Sequence, residues 1–298
     1  MLESSFRSDC EGCGNAQVAG LAQWHRRCLS CGLETAAFTA HIDERDGPDI
    51  DEDQRELALR PIREANFDTL LAWLKAQTGV GGSADAQRPR LLDVGCAHGW
   101  FLEKAAADFE VFGIEPDPEV ARRTMARGLP VRRGYFPDAL AADERFDAIV
   151  FNDVLEHIPD VTSALRHCRE RLRPNGVVVV NAPDRRGALY RIAGTMARLG
   201  MPGPFDRLWQ KGLPSPHLYY FDTASLAAVA ARAGLRVTAS RRLPTLLASG
   251  LYERIMCSGD VSKAKALALT AGILPLVPAL RALPSDITVW LLAEQAPG

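Results

Sequence analysis

Four cysteines near the start of the chain have the spacing of a metal site. They form two C-x2-C pairs separated by fourteen residues, and a glycine follows each pair: Cys10, Cys13, Cys28 and Cys31. Glycine permits the tight turn that points both sulfurs of a pair at one ion, and four thiolates suit a tetrahedral zinc. Because four cysteines leave no open coordination position, we predict a structural zinc site, with two redox C-x-x-C motifs as the alternative.

A glycine-containing turn follows the first strand-like segment after residue 89. The sequence LLDVGCAHGW has the pattern D-x-G-x-A-x-G, at Asp93, Gly95, Ala97 and Gly99. Glycines there let a ligand approach the backbone at the carboxyl end of a parallel sheet, where open α/β sheets bind ligands. About twenty residues later the next predicted strand ends at Glu115, whose carboxylate can accept hydrogen bonds from both hydroxyls of a ribose.

Candidate acid–base groups follow a later strand, in the segment FDAIVFNDVLEHIPD. Asp153, Glu156 and His157 provide three oxygen or nitrogen ligands in a short stretch, and the alternative is that Glu156 and His157 only order the loop. His217, in SPHLYYFD, is either a general base suited to neutral pH or a structural hydrogen-bonding residue. We predict that His25 and His41 are ordinary surface histidines. The remaining cysteines lie in apolar contexts and are predicted to be buried: Cys96, Cys168 and Cys257.

The elements that must position these residues alternate between strands and helices. Strands are predicted at RLLDVG, EVFGIE, FDAIVFND, GVVVVNA, LRVTASRR and DITVWLLAE, with helices at 100–107, 118–126, 161–172 and 223–233. This alternation indicates an α/β fold with an open, doubly wound parallel sheet. Before it, HIDERDGPDIDEDQRE is predicted to be a linker and residues 63–77 a helix.

Composition excludes several classes of protein. The 298 residues are 47% hydrophobic and 24% charged, which is ordinary for a globular chain, and the net charge of −2 lacks the basic excess of a dedicated nucleic-acid binder. No secretory signal opens the chain, so we expect a cytoplasmic protein. The longest uncharged apolar run, residues 266–280, is expected to be too short to span a bilayer and contains two prolines.

At the glycine loop, Glu115 and FDAIVFNDVLEHIPD, the chain resembles the class I S-adenosylmethionine-dependent methyltransferases, in the branch whose fourth strand runs into LEH. The resemblance covers residues 90–298 and implies a seven-stranded Rossmann-like sheet whose last strand, DITVWLLAE, is antiparallel. It also implies the cofactor contacts. The methionine end would be lined by Asp93, Gly95, Ala97 and Gly99, and the ribose would be held by Glu115. Tyr135 and Phe136 would lie by the adenine, and Asn152 and Asp153 would face the sulfonium side.

The resemblance also bears on the acceptor side. Some relatives with a similar acidic run use a divalent ion to orient the acceptor, although an aspartate stands here where those relatives have glutamate. SPHLYYFD resembles the family's H-L-x-x-F entry to the penultimate helix, which makes His217 and His157 the catalytic candidates. Residues 184–216 mix apolar residues with arginines, and are expected to form either a lid over the acceptor or a helix whose arginines are solvated.

These observations predict three parts of the chain: a zinc-ribbon-like module at 1–42, an acidic linker and lead-in helix at 43–89, and a methyltransferase domain at 90–298. The expected function is methyl transfer to oxygen of a small-molecule, sugar or lipid-linked acceptor, with peripheral membrane contact as a further expectation. One alternative is a methyltransferase of ribosomal or transfer RNA, which the net charge disfavours. The other is a non-catalytic, cofactor-binding partner subunit.

Overall fold

The computed structural model describes residues 9–39, 52–79, 88–245, 248, 250–256 and 261–295. Its strands are β1 (Gln17–Ala19), β2 (His25–Cys28), β3 (Glu34–Ala36), β4 (Arg90–Val94), β5 (Glu110–Glu115), β6 (Val131–Arg133), β7 (Phe146–Asn152), β8 (Leu172–Pro183), β9 (Tyr219–Tyr220), β10 (Leu235–Leu243) and β11 (Ile287–Glu294). The helices are α1 (Glu52–Thr78), α2 (Trp100–Ala105), α3 (Pro118–Ala126), α4 (Val161–Arg171), α5 (Ala188–Arg198), α6 (Gly203–Leu208), α7 (Thr223–Arg232), α8 (Leu251–Met256), α9 (Lys263–Ile273) and α10 (Val277–Leu280).

Seven strands form the central sheet, in the order β10-β11-β8-β7-β4-β5-β6. The pairs from β8 to β6 are parallel, whereas β11 is antiparallel to both of its neighbours. The predicted α/β architecture and the antiparallel last strand are therefore confirmed. The central strands are apolar on both faces because helices cover both, and Val177 to Val180 of β8 are all buried.

The helices that flank this sheet begin where their capping residues predict. Asp117 accepts hydrogen bonds from the backbone N–H groups of Glu119 and Val120 at the start of α3. Asp222 and Ser225 form a reciprocal capping box at the start of α7. One boundary differs from expectation, since α1 begins at Glu52 inside the predicted linker. Acidic residues are favourable at a helix N-terminus, so a charged stretch there does not prevent helix formation.

A second, four-stranded sheet has the order β1-β2-β3-β9 and joins the N-terminal region to the rest of the chain. In it β3 pairs with β9, with Glu34 opposite Tyr220 and Thr35 opposite Tyr219. The sequence did not reveal β9, because a strand of two residues has no measurable period. Leu33 lies in the same apolar core as the strands of the large sheet, so the cysteine-containing region packs directly on the main domain.

One helical segment in the described part of the chain, Lys263–Leu280, is long and apolar enough to cross a membrane by length and composition. The sequence predicted that this run would be too short and interrupted by prolines. Instead, Pro275 lies in a short 3-10 turn and Pro278 in the first turn of α10, where a missing N–H costs little. Of the segment, 11% is buried inside the structure.

Candidate functional site

The turn after β4 has a backbone that few residues adopt. Gly95, Ala97 and Gly99 have φ angles of 70°, 44° and 73°. A Cβ on Gly95 would lie 2.7 Å from the Val154 side chain, and one on Gly99 would lie 2.5 Å from Leu129. The two glycines are therefore required both for the left-handed conformation and for space. The loop brings its backbone to the carboxyl edge of the sheet, as the sequence predicted.

Glu115, at the end of β5, is buried beside this loop. Its Oε2 accepts a hydrogen bond from the Ala97 N–H at 2.8 Å, and its Oε1 accepts one from the Asp117 N–H at 2.9 Å. Burial raises the pKa of the Glu115 carboxyl, while these two N–H groups act in the opposite direction. Each carboxylate oxygen keeps a second lone pair, which leaves Glu115 able to accept bonds from two ligand hydroxyls.

Asp93 and Asn152 meet at the ends of β4 and β7. The Asn152 side-chain amide donates a hydrogen bond to the Asp93 carboxylate at 3.2 Å. Burial and, to a smaller extent, the nearby Glu115 charge raise the pKa of Asp93 to about 8, against the opposing effect of the Asn152 hydrogen bond. The Asn152 Oδ1 atom is buried and finds no hydrogen-bond partner among the described residues. An amide oxygen without a hydrogen-bond partner, next to the Asp93 carboxyl group, could accept a hydrogen bond from a positively charged group of a ligand.

The remaining predicted cofactor residues follow β7 and β6 in the chain. Asp153 has a φ of 54°, and its carboxylate lies 4.0 Å from the guanidinium of Arg63 on α1. Phe136 packs edge-on against Phe151 with ring centroids 6.0 Å apart, while the side chain of Tyr135 is half exposed. Sequence reasoning missed Arg63, because α1 is joined to β4 by a long connection and no local pattern indicates that it reaches this edge.

Glu156, His157 and His217 come together next to the loop after β7. One ligand atom from each lies within 4.8 Å of the others, and the two imidazole rings have centroids 4.8 Å apart. His157 Nδ1 lies 2.9 Å from the carbonyl oxygen of Pro216, to which it donates a hydrogen bond. That bond leaves His157 Nε2 as the basic nitrogen. The sequence predicted both histidines separately, and the fold brings them together.

Burial favours the uncharged forms of two members of this trio, Glu156 and His217. Glu156 is fully buried and both of its carboxyl oxygens lack hydrogen-bond partners among the described residues, so burial raises its pKa well above the ordinary value. Burial likewise lowers the pKa of His217 well below its usual range, and the neighbouring His157 adds to that effect. A neutral imidazole has one basic nitrogen, and in His217 this is Nε2, which accepts a hydrogen bond from the Gln210 side-chain NH2 group at 2.9 Å.

The four N-terminal cysteines converge on one point. Their sulfur atoms all lie within 4.8 Å of one another, with 3.4 Å between Cys10 and Cys31 and 3.4 Å between Cys13 and Cys28. The hydrogen bond between Cys10 and Cys31 lowers the pKa of the first thiol and raises that of the second. Sulfurs of a tetrahedral zinc site, each about 2.3 Å from the metal, are separated by similar distances. The described geometry therefore fits a four-cysteine metal centre.

One histidine in this region differs from its prediction. His25 is not a surface residue: its side chain is buried, its Nε2 lies 3.1 Å from a Glu34 oxygen, and its Nδ1 accepts the Leu21 N–H at 2.9 Å. Strand β2 directs it inward between the module and the lid, which a lone histidine in a polar stretch does not reveal. Cys96 and Cys168 are buried as predicted, whereas His41 and Cys257 lie outside the described residues.

The predicted lid, residues 184–216, contains α5 and α6 and packs on the cysteine module. Tyr190, Phe205 and Trp209 belong to one buried apolar cluster. Trp24 and Phe38 of the module pack against the edge of this cluster. Not all of the lid's arginines are solvated. Arg185 is largely buried and contacts Asp222 at 2.6 Å and Glu34 at 3.4 Å. Sequence reasoning missed this ion cluster, because its acidic members lie far away along the chain.

Comparisons with known proteins agree with this architecture. Residues 59–240 match the family described as a methyltransferase domain. A ubiquinone biosynthesis O-methyltransferase of Xanthomonas axonopodis pv. citri is 30% identical over 200 residues, which are 63% of this chain and 75% of that protein. A protein of the same name from Xanthomonas oryzae pv. oryzae is 30% identical over 154 residues. That match covers 49% of this chain, and the chain spans 59% of the length of that relative.

A solved structure supports the fold alone. The cyclopropane synthase MmaA2 from Mycobacterium tuberculosis superposes with a TM-score of 0.52 at 17% sequence identity, covering 86% of this chain and 88% of that one. The fold and the carboxyl-edge site define a class I S-adenosylmethionine-dependent methyltransferase domain. Since the family match spans more than half of the residues, the chain belongs to the methyltransferase domain family.

Proposed function

We propose that this protein transfers the methyl group of S-adenosylmethionine to an oxygen atom of a small-molecule acceptor. The observation that carries the proposal is the placement of Glu115, Asp93 and the turn at Gly95 at one sheet edge. The loop that follows β7 at the same edge contacts the segment of His217, where the Leu218 N–H donates to the Glu156 carbonyl at 2.8 Å. The relatives named as O-methyltransferases support oxygen as the acceptor atom. A sugar or a lipid-linked molecule remains within this class of acceptor.

The residues at the edge fit the parts of this cofactor. Glu115 has lone pairs free for the ribose hydroxyls, and the cradle at Gly95 leaves no room for a side chain, so the backbone itself can line the ligand. The Asn152 Oδ1 atom and the Asp93 carboxyl group would contact the positively charged end of the cofactor. When bound, the cofactor supplies a methyl group already activated on a sulfonium, so the protein's main task is alignment.

Methyl transfer to a hydroxyl also requires that a proton leaves. His217 is held neutral by burial, and His157 keeps Nε2 as an acceptor because its Nδ1 donates to the Pro216 carbonyl. A positioned imidazole that takes a proton contributes about 10²–10⁴-fold to rate. We therefore assign the general base to His217, with His157 as the second candidate at a ring distance of 4.8 Å.

A divalent ion on the same trio is the alternative for the acceptor side. Glu156, His157 and His217 offer one carboxylate oxygen and two imidazole nitrogens within 4.8 Å. The two unpartnered oxygens of the buried Glu156 favour this alternative, because a buried carboxyl group without hydrogen bonds is costly. An ion there would orient the acceptor oxygen and lower its pKa. Added magnesium or manganese distinguishes the two assignments, because it would restore turnover after chelation only if such an ion acts at the trio, whereas a four-cysteine site selects zinc.

The test of the proposal measures binding and transfer separately. Titration calorimetry with S-adenosylmethionine and with its demethylated product should show one site per chain. Transfer of a tritiated methyl group is then measured with a panel of phenols, catechols, sugars and lipid-linked hydroxyl compounds. Absence of cofactor binding by the wild-type protein would overturn the whole proposal, whereas binding without transfer to any hydroxyl acceptor would favour the non-catalytic alternative.

We also propose that the four N-terminal cysteines hold one structural zinc ion. The mutual sulfur distances and the turns at Gly14 and Gly32, with φ angles of 78° and 82°, support the assignment. With all four positions taken by thiolates, the ion would have no open site for chemistry. Its contribution would be to order a segment whose own strands contain only three or four residues each.

A further inference from the structure

The helical segment Lys263–Leu280 leaves most of its apolar side chains in solvent. Only Ala266 and Val277 within it are buried. A helix that is apolar on all sides is ordinarily buried or in contact with lipid, so this exposure is unusual for a soluble surface. We call the exposed leucines of this region, together with two apolar residues of α5, the apolar rim: Leu189, Ile192, Leu267, Leu269, Leu274, Leu276, Leu280 and Leu283.

The two parts of the apolar rim adjoin each other. The Ala188 N–H, at the start of α5, donates to the Pro284 carbonyl at 2.9 Å, and the Tyr190 N–H donates to the Asp286 side chain at 2.9 Å. These bonds fix the first turn of α5 beside the chain that leaves α10. The exposed side chain of Leu189 is consequently next to the segment that contains Leu283, and the rim extends across both elements.

The charged residues within the segment that carries most of the apolar rim have one sign. Between residues 262 and 285 the chain has no aspartate or glutamate, whereas it has Lys263, Lys265 and Arg281. Two exposed arginines of the lid, Arg186 and Arg191, flank the α5 part of the rim. Exposed leucines flanked by lysines and arginines match a lipid bilayer with anionic headgroups, since apolar burial and electrostatic attraction then act together.

Both ends of the segment return to the same edge of the sheet. Leu243, at the end of β10, pairs with Ile287, at the start of β11, and Ile287 pairs in turn with Pro183 at the end of β8. The connection that contains the apolar rim therefore begins and ends at the carboxyl edge, where β4 and β5 place the glycine loop and Glu115. A partner bound at the apolar rim would therefore lie toward the same edge of the sheet as the candidate site.

The lengths of the flanking chain decide how the segment would meet a bilayer. Seven residue steps separate Leu280 from Ile287, and seven separate Met256 from Lys263. Seven steps reach at most about 25 Å, less than the roughly 30 Å thickness of the hydrocarbon core. The stretch after Leu280 is shorter still, because the N–H groups of Arg281 and Leu283 bond back into α10. If the segment spanned the bilayer, one of these two flanks would have to cross the hydrocarbon core to return to the domain. Neither flank is long enough, so the geometry favours a segment that lies in the plane of the membrane.

We propose that the apolar rim is a membrane-binding surface that lies in the interface of an anionic bilayer without spanning it. The leucines insert among the acyl chains, and the flanking lysines and arginines contact anionic headgroups. This association goes beyond methyl transfer and does not depend on the identity of the acceptor. It also gives a physical role to a segment that passes the length and composition criteria for a membrane helix and whose first helix, α9, packs against α8.

The test is co-sedimentation of the full chain with sucrose-loaded vesicles. One set contains phosphatidylcholine alone and the other phosphatidylcholine with phosphatidylglycerol. We expect clear binding to the anionic vesicles, weakening several-fold at high salt, and at least about tenfold weaker binding for Leu269→Glu with Leu276→Glu. Met125→Glu is the matched control, because Met125 is similarly exposed, at 41%, on α3 at the opposite end of the sheet.

Calorimetry with S-adenosylmethionine accompanies each variant, so that loss of vesicle binding is not confused with misfolding or with failure of the proposed reaction. Equal, salt-independent binding of wild type and the leucine variant would overturn the proposal. So would no binding to either vesicle set, or light scattering that shows a dimer which the leucine substitutions dissociate. Protein that resists extraction from membranes by alkaline carbonate would show that the segment spans the bilayer, which also contradicts the proposal.

Discussion

The hydroxyl of Tyr190 donates a hydrogen bond to the carboxylate of Glu34, although the two residues are 156 positions apart. Tyr190 belongs to the lid helix α5 and Glu34 to strand β3 of the cysteine module. His25 and Arg185 also contact Glu34, at 3.1 Å and 3.4 Å. Burial would raise the pKa of Glu34, but the bonds from His25 and Tyr190 and the charge of Arg185 lower it overall. The module is thereby joined to the segment that contains α5.

Removing the Tyr190 hydroxyl should destabilise the protein. Tyr190→Phe leaves one fewer donor for a buried carboxylate, and a hydrogen bond to a charged group is worth about 1.5–3 kcal/mol of the free energy of unfolding. Urea denaturation measures the loss, and the partly exposed Tyr252→Phe on α8 is the control. Since the pKa of Glu34 is lowered by folding, the difference between wild type and variant should shrink as the pH falls below the ordinary glutamate value. A stability within about 0.5 kcal/mol of wild type would contradict this.

Glu115→Ala should weaken binding of S-adenosylmethionine by about 1–3 kcal/mol, because it removes two charged hydrogen-bond acceptors. The matched control is Glu110→Ala at the other end of β5, where the side chain is 48% exposed. Titration calorimetry on both variants provides the comparison. Equal affinities for the two variants would show that the β5 carboxyl end does not hold the ribose.

Cofactor binding should release a proton from Asp93. With a pKa of about 8, this carboxyl is mostly protonated at pH 7, and a nearby positive ligand favours its ionised form. Affinity for S-adenosylmethionine should therefore rise with pH up to about 8 and level off above it. Calorimetry at pH 7 in buffers of different ionisation enthalpy measures the release, and Asp93→Asn should abolish it. An identical binding enthalpy in every buffer would contradict the prediction.

Replacing either histidine of the trio should slow turnover without removing the cofactor. His217→Ala is expected to lower kcat by about 10²–10⁴-fold and His157→Ala by less, with cofactor affinity within about tenfold of wild type. His167→Ala, on the exposed face of α4, is the control. If an ion holds the acceptor, chelators abolish activity, magnesium or manganese restores it, and Glu156→Gln is as harmful as the histidine changes. Turnover insensitive to both histidines and to chelators would leave alignment alone as the source of rate.

Metal analysis should find one zinc per chain, and Cys13→Ser should reduce that content, whereas Cys168→Ala outside the cluster should not. Because β3 pairs with β9, which follows His217, loss of zinc should impair methyl transfer more than binding of S-adenosylmethionine. Circular dichroism and calorimetry after chelation separate these effects. Less than about half an equivalent of zinc after gentle purification would contradict a tightly bound structural ion.

The elements that bear the cofactor residues were predictable because their signals are local. The apolar strand ending at Asp93, the glycines at 95 and 99 and the carboxylate at 115 lie within one strand–helix–strand unit, where chain direction and connection rules leave few arrangements. The two cysteine pairs are local in the same sense, since each needs only its own turn. The start of α1 was misjudged because charge indicates solvent exposure rather than backbone conformation.

Contacts between distant segments were decided only by the tertiary structure. No period or motif indicates that Arg63 approaches Asp153, that His157 faces His217, or that His25 is buried against Glu34. Those contacts depend on which surfaces pack together, and packing is determined by the shapes of many side chains at once. The sequence by itself determined the sheet, the glycine loop and the cysteine spacing, through local periodicity and backbone requirements. Only the folded chain decided that the cysteine module, the segment 184–216 and His217 meet in one buried network.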